Sequence, residues 1–300
     1  MPGPQSRFYQ SQGLQLHYTD WGNDAAPPLI LIHGGRDHGR SWDRIARSLR
    51  PHYHVLAPDL RGHGDSEWTK GGSYILPEYV YDLTRLVRLT GANEVAIVGH
   101  SMGGMIGLAY AGTFPDKVSR LVVLDGIVVA QTTQKAPAHE RMAKWMSQLD
   151  ALDAREPRRY QTIADAAAQM SAHNRRLTPE LALHLATHAV RRNTDGTFSW
   201  KFDPHQRAMA PHRLWPDDYL ALWSPISCPT LLLGAGESFL GDPKANGVVS
   251  HFKQAQAETV AGAGHWLHHD KPDEVVGLVR SFLGLPEDDE HSEVRNSIAH

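Results

Sequence analysis

The stretch that decides the fold covers residues 94–104 and reads EVAIVGHSMGG. Its first half is an apolar run typical of a buried strand, and a helical pattern follows it. The Gly-x-Ser-x-Gly motif between them begins at Gly99, ends at Gly103 and is centred on Ser101. A tight strand-to-helix turn of this kind pushes the hydroxyl clear of the sheet edge, and a Cβ at either glycine would collide with neighbouring backbone. The sequence therefore predicts that Ser101 is a nucleophile at a helix N-terminus.

Outside this stretch, short apolar runs alternate with helical patterns, which indicates a mostly parallel central sheet flanked by helices on both faces. The predicted strands are Leu29–His33, His54–Ala57, Glu94–Val98, Leu121–Asp125, Thr230–Leu233 and Ala257–Val260, with an antiparallel strand at Leu14–Trp21. The alternation is interrupted once, between about residues 126 and 226, where no central strand is evident. Helices are predicted there near Pro137–Leu152, Tyr160–Ala172, Pro179–Arg192 and Trp215–Trp223.

These patterns predict three parts of the chain. Residues 1–125 and 227–285 form an α/β core, residues 126–226 form an inserted helical cap, and residues 286–300 form a polar, disordered tail. With 300 residues, of which 41% are hydrophobic, the chain is long enough to bury a full core.

Composition excludes several classes of protein. A formal net charge of −3 gives no electrostatic footprint for nucleic acid. No apolar run approaches the roughly 18 residues that a membrane span needs, and the first residues lack the apolar segment of a secretory signal. Together with a single cysteine, Cys228, these features predict a soluble cytoplasmic protein. They carry no indication of its oligomeric state.

Three further motifs accompany the Ser101 turn. His33-Gly34-Gly35 follows the first parallel strand, residues 59–66 read DLRGHGDS, and residues 262–265 read GAGH. In this order, the four motifs resemble the α/β-hydrolase superfamily over about residues 10–285. The resemblance implies the α/β-hydrolase fold and a Ser–acid–His triad in chain order. It also implies a small-molecule substrate, no cofactor, and an oxyanion hole between the serine turn and the first loop.

A serine hydroxyl needs a general base at neutral pH, and imidazole, with a pKa of about 6.5, can accept its proton. His265 is the predicted base because it follows the last strand in a glycine-flanked loop, where the superfamily places this residue. Two backbone N–H groups must face the developing oxyanion. The resemblance assigns them to Met102 and Gly35.

Several other histidines stand near these motifs. His33, His63 and His100 are adjacent to motif glycines, and by resemblance they are turn and packing residues. The run from His268 to Asp270 suggests metal ligation together with His265. It lacks the His-Glu-x-x-His spacing, however, and a surface turn leading into the last helix explains it better. No metal site is therefore predicted.

The triad acid departs from the common family pattern. Most relatives carry it in a Gly-x-x-Asp turn after the strand before the final one. Here that segment, residues 231–239, reads LLLGAGESF and contains Glu237 but no aspartate. Some members place the acid one strand earlier, where Asp125 ends a predicted strand. We predict Asp125 as the acid, with Glu237 as the alternative; many relatives carry a purely structural aspartate at the Asp125 position.

Tryptophans and methionines in the predicted cap favour a closed, apolar pocket over Ser101. Candidate lining residues are Trp145, Trp200 and Trp223, which would otherwise form the core of the cap itself. Arg36, beside the oxyanion loop, either binds a substrate carboxylate or lies in solvent.

The predicted function is that of a serine hydrolase that cleaves an ester, thioester or related acyl bond in a small, mainly apolar substrate through an acyl-enzyme. Three alternatives stay open: a hydrolase of C–C bonds in dicarbonyl compounds, a cofactor-free dioxygenase with a His–Asp base, and a non-catalytic ligand receptor. Haloalkane dehalogenases and epoxide hydrolases of this fold are excluded, because they need a carboxylate nucleophile where Ser101 stands.

Overall fold

The computed structural model of the protein describes residues 3–71, 74–127 and 136–286. Its centre is a large twisted sheet with helices on both faces. The strands within these residues are β1 (Gln5–Ser11), β2 (Leu14–Asp20), β3 (Pro28–Ile32), β4 (His54–Pro58), β5 (Val95–His100), β6 (Val118–Leu124), β7 (Val190–Arg192), β8 (Phe198–Trp200), β9 (Thr230–Ala235) and β10 (Ala255–Val260). The α-helices are α1 (Asp43–Leu49), α2 (Leu76–Leu89), α3 (Met102–Thr113), α4 (Ala138–Asp153), α5 (Ile163–His173), α6 (Pro179–Ala189), α7 (Pro216–Trp223), α8 (Leu267–Asp270) and α9 (Pro272–Leu283).

The strand order across the large sheet is β1-β2-β4-β3-β5-β6-β9-β10. β2 pairs antiparallel with both β1 and β4, and every other pair of neighbours is parallel. This topology confirms the predicted α/β-hydrolase fold with a mostly parallel sheet. Because parallel strands end at the same edge, the loops after β3, β5, β6, β9 and β10 lie together at the carboxyl edge of the sheet.

The central strands are buried on both faces, which explains why they read as nearly continuous apolar runs. In β3, Ile30 and Ile32 pack on one face with residues of α2 and α3. Leu29 and Leu31 point to the opposite face and pack with residues of α1 and α9. This alternation anchors each central strand from both sides, so the loops at its carboxyl end start from fixed positions.

Three elements of the core lie outside the sequence prediction, namely β1, α1 and α8. β1 is an edge strand whose first four residues are exposed, so it lacks the apolar run of the central strands. α1 has seven residues and follows directly on a 3-10 turn, so its apolar pattern is too short to show a helical period. The predicted strands are confirmed, with ends that differ by up to three residues, as at Val118 in place of Leu121 for β6.

The residues between β6 and β9 form α4 to α7 and a small antiparallel sheet of β7 and β8. This sheet differs from the all-helical prediction. The helix predicted to reach Arg192 ends at Ala189, and the chain turns back at Gly196, whose φ of 87° suits glycine. α5, α6 and the small sheet have an apolar cluster of their own, which comprises Tyr160, Ala166, Ala167, Ala182, Ala186 and Val190.

α7 differs from the other inserted helices, because it packs on α3 and joins the main core. The division into core, cap and tail stays a prediction. Residues 128–135 of the predicted cap and 287–300 of the predicted tail lie outside the described residues. Within the described ranges, no helix combines the length and the apolar character that crossing a membrane requires.

Candidate active site

Ser101 lies in the turn between β5 and α3 and has a φ of 51°, a conformation that non-glycine residues rarely adopt. Its N–H donates to the carbonyl of Leu124 at 2.9 Å, which holds the turn against β6. A Cβ on Gly99 would overlap the backbone of Gly103, and a Cβ on Gly103 would overlap the carbonyl of Ile32. The predicted reason for both glycines is therefore confirmed: the sharp turn leaves no room for a side chain at either position.

The loop after β10 carries His265 to Ser101. Nε2 of His265 lies 2.9 Å from Oγ of Ser101, and Nδ1 lies 2.6 Å from Oδ2 of Asp125. A neutral imidazole satisfies both contacts if its Nδ1–H donates to the carboxylate and its Nε2 accepts from the hydroxyl. The structure thus brings together three residues that the sequence places up to 164 positions apart.

Asp125 follows β6 with a φ of 43°, and its side chain is 1% exposed. Its backbone N–H donates to the carbonyl of Leu233 at 2.7 Å, which ties the residue to β9. The hydroxyl of Ser238 donates to Oδ2, the same carboxylate oxygen that His265 contacts. This contact was not predicted from the sequence, although Ser238 stands next to Glu237 in the segment where most relatives carry the acid. Here that segment contributes a hydroxyl that holds the carboxylate of Asp125.

Glu237, the alternative acid, has a different partner. Its side chain is 56% exposed and forms an ion pair with Arg176, in the loop between α5 and α6. Nδ1 of His265 is already bonded to Asp125. The geometry therefore favours Asp125 over Glu237.

The loop after β3 approaches the serine turn closely. A Cβ on Gly34 would lie 3.1 Å from Cβ of Ser101, so glycine is what allows this approach. Gly35 is exposed, and the next residue, Arg36, has a φ of 62° and is also exposed. Met102 is the first residue of α3, a position at which the backbone N–H has no carbonyl partner within the helix.

Buried histidines support these loops. Nε2 of His33 accepts from the N–H of Leu60 at 3.0 Å, and its Nδ1–H donates to the carbonyl of Gly34 at 2.7 Å. Burial lowers the pKa of His33 to about 3 and that of His63 to about 4, so both rings are neutral at physiological pH. His100 donates from Nε2 to the carbonyl of His265 at 2.8 Å. The ring of His63 packs edge-on against that of His33, with centroids 5.0 Å apart, so the contacts agree with the packing roles expected for the three histidines.

The run after His265 is not the surface turn that the sequence suggested. His268 lies in α8, is 4% exposed, and stacks on Trp42 with ring centroids 4.8 Å apart. The turn interpretation is wrong because this helix packs into the interior. Oδ2 of Asp270 accepts from the N–H of Gly264 at 2.8 Å, so Asp270 holds the loop that carries His265.

The tryptophans predicted to line a pocket lie in different environments. Trp223 is 3% exposed and stacks on Phe252 in the main core, so its assignment as a pocket residue is wrong: it has almost no surface to offer a ligand. The indole N–H of Trp200 donates to the hydroxyl of Tyr160 at 3.0 Å, which places Trp200 in the packing of the inserted segment. Trp145 is half-buried in α4.

An aromatic side chain that was not predicted lies beside His265. Phe239 is 80% exposed, and the centroid of its ring is 4.9 Å from that of His265. Single exposed apolar side chains are common on protein surfaces, so what sets Phe239 apart is its position beside His265. The sequence signal was weak, because a single phenylalanine in a loop carries no periodic pattern.

Three groups of side chains in the described ranges have the chemistry and spacing of metal ligands. They are Asp37 with His100 and His268, His17 with Asp59 and Asp65, and Asp20 with Asp24 and His54.

Comparison with known proteins agrees with this architecture. The family model of the alpha/beta hydrolase fold matches residues 27–272, and the chain belongs to this family. It is 30% identical to sn-1-specific diacylglycerol lipase ABHD11 of Mus musculus over 279 residues, which cover 90% of this chain and 85% of that protein. It is 27% identical to Esterase YbfF of Escherichia coli (strain K12) over 261 residues, which cover 85% of this chain and 92% of that protein.

A solved structure of a thioesterase domain from the curacin biosynthetic pathway superposes with a TM-score of 0.83 at 25% identity. The match covers 93% of this chain and 100% of that domain. Together with the named hydrolases, esterases and lipases among its relatives, this family membership identifies the chain as a hydrolase of the α/β superfamily.

Proposed function

We propose that this hydrolase cleaves ester or related acyl bonds, with Ser101 as nucleophile, His265 as general base and Asp125 as the acid that orients the imidazole. One observation carries the proposal: a continuous hydrogen-bonded chain from Oγ of Ser101 through His265 to Asp125, with distances of 2.9 and 2.6 Å. This is the geometry in which a nucleophile, a base and an orienting group act as a unit.

In the proposed reaction, His265 accepts the proton of Ser101 as Oγ attacks the carbonyl carbon of the substrate. The buried carboxylate of Asp125 then faces an imidazolium, and their attraction is screened little because the carboxylate is 1% exposed. The imidazolium gives its proton to the leaving group as the bond between that group and the carbonyl carbon breaks, and the acyl group stays on Oγ of Ser101 as the acyl-enzyme. Water, activated by the same base, then releases the acid.

The oxyanion that forms during the attack needs two donors that are already in place. We assign them to the backbone N–H groups of Met102 and Gly35. The free N-terminal end of α3 adds a favourable dipole at this point. The close approach of Gly34 to Ser101 supports the assignment of Gly35, because it brings the first loop beside the nucleophile.

The inserted segment is proposed to cover this site as a cap. It contacts the loops on both sides of the site: Arg176 pairs with Glu237, and the carbonyl of Leu185 in α6 accepts from Nε2 of His38 at 3.0 Å. A segment attached at both margins is well placed to limit which substrates reach Ser101.

The substrate class is proposed from the exposed apolar side chains. Phe239 lies beside His265, and Met142 and Met146, one turn apart in α4, are each about half exposed, as is Met209. We propose that the methionines face the site as part of the cap, where together with Phe239 they would favour a small, mainly apolar acyl compound over a charged one. A diacylglycerol lipase and an esterase are named among the relatives, and a thioesterase domain among the solved structures, which supports an acyl substrate.

The test is to treat the protein with a fluorophosphonate probe and to measure turnover of p-nitrophenyl esters of increasing chain length. Ser101→Ala is expected to lose labelling and at least about 10⁴-fold in kcat. Ser250→Ala, at an exposed position in a 3-10 turn, is the matched control and should keep both. Labelling that persists in Ser101→Ala would overturn the proposal. Two further measurements test the alternatives. Turnover of ring-fission substrates tests the C–C hydrolase, and oxygen uptake tests the dioxygenase.

A further inference from the structure

A cluster of polar side chains from three separate elements meets beneath the loop that carries His265. Asp37 follows the oxyanion loop, His100 is the last residue of β5, and His268 lies in α8. Each offers one ligand atom, and these atoms lie within 4.8 Å of one another. The cluster is distinct from the Ser101–His265–Asp125 chain, because none of its members belongs to that chain.

Each of these side chains has at least one buried polar atom without a partner among the described residues. Oδ2 of Asp37, Nδ1 of His100 and both ring nitrogens of His268 are shielded from solvent and have no hydrogen-bond partner in the described part of the chain. His100 is 1% exposed and His268 is 4% exposed. Buried polar atoms are nearly always satisfied, so four unsatisfied atoms in one place point to a group that binds them.

The hydrogen bond of His100 shows which of its ring nitrogens is free to bind a metal ion. Its Nε2 must carry the proton, because it donates to the carbonyl of His265. In a neutral imidazole the other nitrogen, Nδ1, is then a bare acceptor. A Cβ on Gly34 would lie 2.8 Å from this nitrogen, so the lack of a side chain at Gly34 keeps that side of Nδ1 free of a crowding atom.

The three side chains are held in place by further contacts, as metal ligands usually are. A metal-bound histidine typically donates its other ring N–H to a carbonyl or carboxylate, as His100 does to His265. The ring of His268 is held in place by stacking on Trp42. Oδ1 of Asp37 accepts from the N–H of His38 at 2.9 Å, which orients the carboxylate and leaves Oδ2 for a ligand.

We propose that Asp37, His100 and His268 bind a divalent transition-metal ion, with Zn²⁺ as the ion that best matches two imidazoles and a carboxylate. The sequence prediction of no metal site considered only the run from His265 to Asp270. The proposed ligands instead come from three elements, of which only α8 lies in that run.

The two other groups with ligand chemistry are less suited to a metal. In the first, Nδ1 of His17 already bonds to Asp59 at 2.7 Å. In the second, Nε2 of His54 bonds to Asp20 at 3.0 Å, and the side chain of Asp24 is 78% exposed. Their ligand atoms have partners, whereas those of the proposed site do not.

The experiment uses the full chain after treatment with a chelator. Co²⁺ is added as a spectroscopic probe, and its visible absorption and bound stoichiometry are measured, followed by competition with Zn²⁺. We expect one equivalent of Co²⁺ per chain, displaced by Zn²⁺. Asp37→Asn and His268→Gln should each weaken binding at least tenfold. His139→Gln, at a site 83% exposed, and Asp24→Asn serve as controls and should bind like the wild type.

The proposal is overturned if the wild type binds no stoichiometric metal, if Asp37→Asn and His268→Gln bind as tightly as the wild type, or if Asp24→Asn alone loses binding. Circular dichroism checks that the buried variants fold. If they do not, wild-type crystals soaked in Zn²⁺ decide the question: an anomalous peak between Asp37, His100 and His268 supports the site, and a peak elsewhere or none refutes it. The readout is metal binding, so it does not depend on the proposed acyl hydrolysis.

Discussion

The α/β core and the inserted segment between β6 and β9 are built differently. All six residues of β5 are buried, and the strand leads directly into the Ser101 turn. In α4, none of the sixteen residues is buried. A catalytic site needs its side chains held to within about 0.5 Å, and packing on both faces of the sheet favours such precision. A surface helix with few buried contacts tolerates change, which suits the proposed role of the inserted segment as a cap.

The comparison predicts that substitutions in the core act on turnover, and that those in the inserted segment act on substrate affinity and local stability. The sharpest contrast is between the two candidate acids. Asp125→Asn is expected to lower kcat about 10⁴-fold, because the amide no longer stabilises the imidazolium or the correct tautomer. Glu237→Gln, which changes an exposed carboxylate paired with the inserted segment, should change kcat less than about threefold.

Steady-state kinetics of the two variants, with thermal unfolding as the check on folding, measure this difference. Equal losses in both variants would contradict the assignment of Asp125. Full activity in both would show that neither carboxylate orients His265.

A smaller effect is expected for Ser238, the side chain that holds the carboxylate of Asp125. Ser238→Ala removes the hydroxyl that donates to Oδ2 of Asp125. A hydrogen bond to a charged group contributes about 1.5–3 kcal/mol. If all of this energy stabilises the transition state, kcat should fall roughly tenfold to 100-fold. KM should stay within about twofold. Ser238→Thr keeps the hydroxyl and should recover much of the activity; a rise in KM at constant kcat would argue for a role in substrate binding instead.

Arg176→Ala tests the link between the inserted segment and the core. The ion pair with Glu237 is largely exposed and contributes less than about 1 kcal/mol, but the guanidinium also lies 3.7 Å from the buried carboxylate of Asp270, so its loss should lower the free energy of unfolding by about 1 kcal/mol or more. KM for long acyl chains is expected to change by about two- to fivefold, with a smaller change in kcat, because the contact between the inserted segment and the core loosens. Arg175→Ala, next to it in the sequence, is the control. A loss of kcat comparable to that of Asp125→Asn would show that Arg176 takes part in catalysis, and would contradict the expected difference between the core and the inserted segment.

The weakest predicted effect depends on pH and lies in the inserted segment. His205 contacts both Asp203 and Asp153 at 2.8 Å. Burial alone would lower the pKa of His205, but hydrogen bonds to the two carboxylates raise it above its ordinary value. A raised pKa stabilises the fold below the ordinary histidine pKa, and this contribution is lost as the pH rises through the raised value.

His205→Gln should therefore lower the free energy of unfolding at pH 5.5 by less than about 1 kcal/mol, and by less still at pH 9. Denaturant unfolding at the two pH values measures the difference. A larger loss at pH 9 than at pH 5.5 would contradict the direction of the shift.

Much of the fold was predictable because burial on both faces gives central strands a direct sequence signature. The Ser101 turn was equally readable, since its glycines are required by contacts within the turn itself. β1 and the β7–β8 pair were not readable, because each forms by pairing with another strand and buries few apolar residues. Trp223 was assigned to a pocket because composition does not tell which side of a helix faces the core.

The amino-acid sequence alone was enough to predict the sheet and the serine turn, and it singled out Ser101, His265 and two carboxylates as candidates for the site. Only the tertiary structure decided which carboxylate bonds to His265, because that depends on where the loops after β6 and β9 lie relative to each other. It also brought Ser238 to Asp125 and gathered Asp37, His100 and His268 in one buried place. Contacts of this kind join residues far apart in the chain. A local sequence pattern does not tell which distant residues come close together in the folded protein.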